Sequence, residues 1–220
     1  MTMNVLAIVA ATSALFAAEA ASAPPPAASW TVGPVIGGRS YSRGVPPHPI
    51  AGPGRSWWVP IPGSSGSLNA LTMAARPLSG ARRIVLTYRI EAAPGVTIGA
   101  RSAPGAPALV TMYLQRRGDN WSARGPFETY RWYAGFATQT VTPNVTRTIV
   151  APLSGNWTAI ERSSARTSPA AFRAALADPQ AIGFVLGGGD GLGHGIVADG
   201  PARLVVTDFR IECPRARRGA

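Results

Sequence analysis

The chain has 220 residues, with 21 Lys or Arg against 10 Asp or Glu and a formal charge of +11. Every basic residue is arginine, and the abundance of Ala, Gly and Pro beside it matches the coding bias of a GC-rich bacterial genome. The single cysteine, Cys213, excludes an internal disulfide and a lipid-anchored leader end, so packing must hold the fold.

Residues 1–23 are an apolar run followed by small residues, the outline of a secretory signal peptide. The basic start of such peptides is missing. Cleavage fits after Ala20 or Ala23, and the run is shorter than the roughly 20 residues of a membrane-spanning helix. The expectation is a periplasmic or extracellular bacterial protein with no transmembrane segment in the mature chain. Residues 24–54 are rich in Pro, Gly, Ala and Ser, a composition that buries too little surface to fold alone. They read as an extended linker or a segment laid over the domain, anchored at Trp30, Tyr41 and Ile50. His48, between prolines, reads as an exposed linker histidine.

A domain over residues 55–213 follows, built of short strands. Trp57 to Pro62 has two prolines and predicts an edge strand. Leu68 to Ala75 and Arg83 to Glu91 come next, the latter alternating Ile84, Leu86, Tyr88 and Ile90 against Val85, Thr87, Arg89 and Glu91. In Leu109 to Gln115, side-chain parity puts Val110, Met112 and Leu114 on one face and Thr111, Tyr113 and Gln115 on the other. In Thr129 to Tyr133, Arg131 and Tyr133 share a face. If the two strands pair, Tyr113, Gln115, Arg131 and Tyr133 stand together, with a long loop from Arg116 to Phe127 between them.

Ala137 to Val141, Thr146 to Leu153 and Asn156 to Ile160 are further extended pieces. Ser168 reads as an N-cap with Pro169 at the first helical position, Phe172 and Leu176 lie one turn apart, and Asp178-Pro179 ends the run. This predicts one short helix serving as a lid. Ala181 to Leu186 and Ala202 to Ile211 close the chain, and the last strand has apolar residues on both parities. Residues 214–220 form a basic tail. The fold class is therefore all-β: a β-sandwich or jelly roll with one helix, preceded by signal peptide and linker.

The strand order, the SPAAFRAALADP helix, the glycine-rich segment after IGFVLGG and the closing ARLVVTDFRIE strand resemble galactose-binding-like jelly-roll domains. These include many carbohydrate-binding modules of secreted bacterial proteins. The resemblance covers Trp57 to Glu212, is architectural, and implies a fold without assigning binding residues.

The side chains suited to a sugar are Tyr113, Gln115, Arg117, Asp119, Asn120, Trp121, Arg131 and Tyr133. Flat rings cover the C–H face of a pyranose, while amides, carboxylates and guanidinium groups bond its hydroxyls directionally. The opposing reading has Trp121 capping the sandwich, Asp119 and Asn120 shaping a turn, and Arg131 paired with Glu128. The segment Gly187 to Gly195 lacks GxGxxG spacing and leads towards a strand, so it reads as a connection allowing close backbone approach, with Asp190 and His194 at a site edge. Arg117-Gly118-Asp119 matches an adhesion tripeptide by chance, and the Asn-x-Ser/Thr triplets at Asn120, Asn144 and Asn156 matter only in a eukaryotic secretory route.

No cofactor and no metal site is expected, since His194 has no partner at ligand spacing. No paired carboxylates or nucleophile elbow marks an enzyme. A jelly-roll polysaccharide lyase stays open, drawing on Gln115, Arg131, Tyr133 and His194. The basic charge favours acidic polysaccharide, and with no recognition helix nucleic acid is not an expected partner. A structural envelope protein holding acidic glycans nonspecifically is the remaining alternative.

Overall fold

The computed structural model describes residues 24–189 and 191–214; residues 1–23, read above as a signal peptide, Asp190, and residues 215–220 of the expected basic tail lie outside the described residues. The strands are β1 (Trp30–Gly33), β2 (Val35–Ile36), β3 (Arg39–Ser40), β4 (Ile50–Ala51), β5 (Trp57–Pro60), β6 (Ala70–Ala74), β7 (Arg83–Ala92), β8 (Ile98–Ala100), β9 (Leu109–Arg116), β10 (Arg131–Tyr133), β11 (Gln139–Thr140), β12 (Thr146–Pro152), β13 (Thr158–Ala159), β14 (Pro179–Gly187), β15 (Ile196–Ala198) and β16 (Ala202–Glu212), with helix α1 (Pro169–Ala177) before β14.

Two antiparallel sheets pack face to face. One runs β1-β6-β14-β9-β10-β13, with β11 also on β9, and the other runs β12-β7-β16-β5-β4. Alternation makes this a sandwich: Val110, Met112 and Leu114 of β9 point inward and meet Ile84, Leu86, Tyr88 and Ile90 of β7 in one continuous core. The β-sandwich expected from the strand pattern is present, and α1 is the one α-helix among the described residues.

Of the two readings of residues 24–54, the segment laid against the domain and anchored at Trp30 is the one present, not the extended linker. Trp30 is fully buried, β1 pairs with β6, and β4 pairs with β5, so this segment supplies a strand to each sheet. Composition misleads here because one tryptophan contributes more burial than the flanking prolines forgo. Trp30 lies 4.9 Å from the Trp57 ring and 4.8 Å from Phe209, at the centre of an aromatic cluster that includes Phe184. Its carbonyl bonds His48 Nδ1 at 2.7 Å, so that exposed histidine clips the segment down. With β4 outside it, β5 is not the edge strand its prolines suggested.

The two apolar parities of the last strand have a simple cause. A β-bulge between Val206 and Asp208 inserts Thr207 and resets the alternation. Leu204, Val206 and Phe209 then all enter the core. In α1, Ser168 occupies the N-cap position but makes no side-chain cap bond. The helix is held by packing, with Phe172 centred 4.9 Å from Trp132 and 5.9 Å from Trp157.

Candidate functional site

The outer face of the first sheet carries the site. Register aligns Thr31, Thr72, Gly183, Tyr113 and Tyr133 in one row across β1, β6, β14, β9 and β10. The adjacent row is Ala74, Ala181, Gln115 and Arg131. Parity alone predicted the grouping of Tyr113, Gln115, Arg131 and Tyr133, and the pairing of β9 with β10 brings them together.

Small residues on one side of these rows and large ones on the other leave a trough. Gly183 has no room for a side chain, because a Cβ there would lie 2.0 Å from the Leu71 carbonyl oxygen. Around the trough stand the β2–β3 hairpin, the segment at Arg101 and Ser102, the glycine-rich loop and the loop after β9, enclosing a cleft of about 770 Å³. The glycine-rich segment does permit close approach: a Cβ on Gly188 would sit 2.3 Å from the Pro107 carbonyl oxygen.

Of the nine side chains expected from sequence, Tyr113, Gln115, Arg117, Trp121, Arg131, Tyr133 and His194 line this cleft. Asp119 and Asn120 do not. Asp119 lies beneath it, its side chain 0 % exposed, and acts as a hub. It accepts hydrogen bonds from Gln115 Nε2 at 2.9 Å and the Trp121 backbone N–H at 3.0 Å. Arg131 Nε lies 3.1 Å from the same carboxylate, with the arginine side chain only 7 % exposed. Asn120 Oδ1 instead accepts from the backbone N–H and the hydroxyl of Ser122, which closes the turn.

That hub answers where Trp121 points. Its backbone takes a positive φ of 65°, which Asp119 holds by its bond to the Trp121 N–H. Arg131 donates to the Trp121 carbonyl at 3.1 Å, and its guanidinium carbon lies 4.9 Å from the indole centroid. Trp121 is thus a half-buried wall of the cleft and not a cap on the sandwich. Arg131 pairs with Asp119, not with Glu128. The adhesion tripeptide is not displayed as a unit either, since Asp119 is buried and Arg117 pairs with Asp178 at 3.0 Å.

Tyr113 is 3 % exposed, and its ring centre lies 5.3 Å from that of Tyr133. Burial, then the neighbouring Tyr133, holds the Tyr113 phenol well above the usual tyrosine range, with Arg131 pulling the other way. Burial likewise pushes Tyr133 up to about 12. Both phenols therefore stay protonated at neutral pH. The lining includes Arg101, Arg117 and Arg131, and among the described residues it includes no Asp or Glu.

Sequence reasoning missed Thr31, Val35, Asn69, Thr72, Arg101 and Leu192, which also line the cleft. They reach it from strands and loops distant along the chain, and no local pattern marks them. Among the described residues there is no group of three or more His, Cys, Asp and Glu placed to hold a metal, and no helix long and apolar enough to cross a membrane.

No protein-family model and no curated protein matches the chain. Among solved structures it is similar to a CBM22-2 xylan-binding domain of Xyn10C from Paenibacillus barcinonensis, at 13 % identity and a TM-score of 0.39, covering 84 % of this chain and 92 % of that one.

Proposed function

We propose that this is an exported, noncatalytic carbohydrate-binding β-sandwich that takes an acidic polysaccharide in the cleft of its first sheet. The observation that carries the reading is Trp121 and the Tyr113–Tyr133 pair standing beside Gln115 and Arg131 in one basic cleft. Rings offer flat apolar area to a sugar's C–H face, and the amide and guanidinium groups bond hydroxyls or carboxylates. Arg101, which has no ion pair among the described residues, favours a uronate over a neutral sugar, while Arg117 and Arg131 are already paired with Asp178 and Asp119.

A glycan array of acidic and neutral polysaccharides tests this. Selective retention of uronate polymers, lost in Trp121→Ala, is the expected outcome; retention of none, or retention indifferent to that change, refutes it.

A second reading is a polysaccharide lyase, favoured by Gln115, Arg131, Tyr133 and His194 lining one cleft. In that chemistry a cation and amide neutralise the uronate while acid and base groups move its proton. Incubation with uronate polymers would then raise ultraviolet absorbance as unsaturated product forms.

A further inference from the structure

The far end of the cleft, beside the glycine-rich loop, has a polar group that the fold leaves unused. Asn69 is 8 % exposed and lines the cleft just before β6. Its backbone N–H donates to Ser42 Oγ at 2.9 Å, and its carbonyl accepts from Leu186 at 2.7 Å. Its Nδ2 donates to the Gly193 carbonyl at 3.1 Å, which sets the amide's orientation and leaves Oδ1 as the remaining acceptor. Among the described residues neither Oδ1 nor the Tyr113 hydroxyl has a hydrogen-bond partner, and both atoms are closed to solvent, the tyrosine packed among Ala70, Val185, Tyr133 and Leu192, so a ligand reaches them only as these side chains move aside. Leaving a buried polar atom unpaired costs about 1–3 kcal/mol, so two in one cleft wall call for partners from outside the fold.

We propose that Asn69 Oδ1 and the Tyr113 hydroxyl form a second subsite that reads sugar hydroxyls, so that the cleft binds an extended oligosaccharide and not a single terminal sugar. Register supports the length. Asn69 precedes Ala70, which lies level with Val185 and Thr111, so Asn69 and the Gln115–Arg131 row are about five residues apart along the strands, or roughly 17 Å. One pyranose ring cannot touch both. A chain can, with one unit against Trp121 and Arg131 and another donating a hydroxyl to Asn69, while Tyr113 bonds the unit between. Ser102 and His194, which line the same end, stand beside that second unit.

This inference rests on the carbohydrate reading above and is tested separately from it. Calorimetric titration of the full chain uses galacturonate, mannuronate and neutral xylan oligomers from monomer to tetramer. The expected result is at least ten-fold tighter binding of a tetramer than of its monomer. Tyr113→Phe should then weaken the tetramer roughly three- to ten-fold, the worth of one net hydrogen bond, without lowering the thermal unfolding temperature of the free protein, which should rise because an unpaired buried hydroxyl is removed. Asn69→Leu should weaken it similarly, with its unfolding measured alongside because it also gives up the Gly193 bond. If Trp121→Ala abolishes tetramer binding but Tyr113→Phe leaves it untouched, the second subsite is wrong and the carbohydrate reading stands. Equal affinity for monomer and tetramer also overturns the subsite. Binding of no oligomer by the wild type overturns both.

Discussion

Replacing Asp119 with alanine isolates the hub beneath the cleft. The carboxylate is wholly buried and meets Gln115, the Trp121 N–H and Arg131. Deleting one partner of a buried ion pair costs about 3–5 kcal/mol, because the other charge is left uncompensated. Here Arg131 keeps its bond to the Trp121 carbonyl and the face of the indole, which offsets part of the loss. The net expectation is therefore destabilisation of about 3 kcal/mol, a large share of a typical domain's total. Urea denaturation should show a lowered midpoint at unchanged slope. Arg117→Met is the control: its pair with Asp178 is about 60 % exposed on both sides and should cost less than about 1 kcal/mol. In the double variant Asp119→Ala with Arg131→Met, the stranded charge is gone, and the combined cost should fall below the sum of the singles. Additive costs, or an Asp119→Ala variant within about 0.5 kcal/mol of wild type, would refute the hub. Ligand affinity should drop in Asp119→Ala as well, although Asp119 does not line the cleft, because Trp121 and Arg131 lose their support.

Three further outcomes are expected. Trp30→Ala should cost about 3–5 kcal/mol by denaturant unfolding, and a chain starting at residue 55 should fail to fold; a cooperative transition at the wild-type midpoint from that shortened chain would contradict the placement of β1. Tyr133 is raised from 10.0 to about 12, so the stability it contributes is fully present below about pH 10 and lost as pH rises towards 12. Spectrophotometric titration should show a late tyrosinate phase that shrinks in Tyr133→Phe. The Glu212 carboxyl is held below its ordinary 4.5, chiefly by the hydrogen bond from Arg83. Its contribution is present above about pH 4.5 and lost as pH falls through the lowered value, so Glu212→Gln should flatten the acid limb of the stability profile.

Much of the site's floor was legible because side-chain alternation is a property of the extended backbone itself. Tyr113 with Gln115, and Arg131 with Tyr133, share faces whatever the strands pack against. The β9–β10 pairing, which only the fold supplies, turns two such faces into one. The same locality made the core residues of β7 and β9 readable from their period, and it failed at β16, where the bulge at Thr207 resets the period without a local mark. Composition failed at Trp30, because a proline-rich segment gains its order from contacts with Trp57, Phe184 and Phe209 far along the chain.

Chemistry-bearing residue types pointed to the loop after β9 but not to the division of labour within it. Asp119, Asn120 and Trp121 are equally polar or amphipathic on paper. Burial makes the first a support for Arg131, turn geometry spends the second on Ser122, and the third becomes the wall. By itself the sequence determined an all-β chain with an aromatic and arginine-bearing strand pair, since strand periodicity and residue chemistry are local. Only the tertiary structure decided that this face is the floor of a cleft walled by the β2–β3 hairpin and the glycine-rich loop, and that Asn69 joins it, because those walls are closed by contacts between segments with no common local pattern.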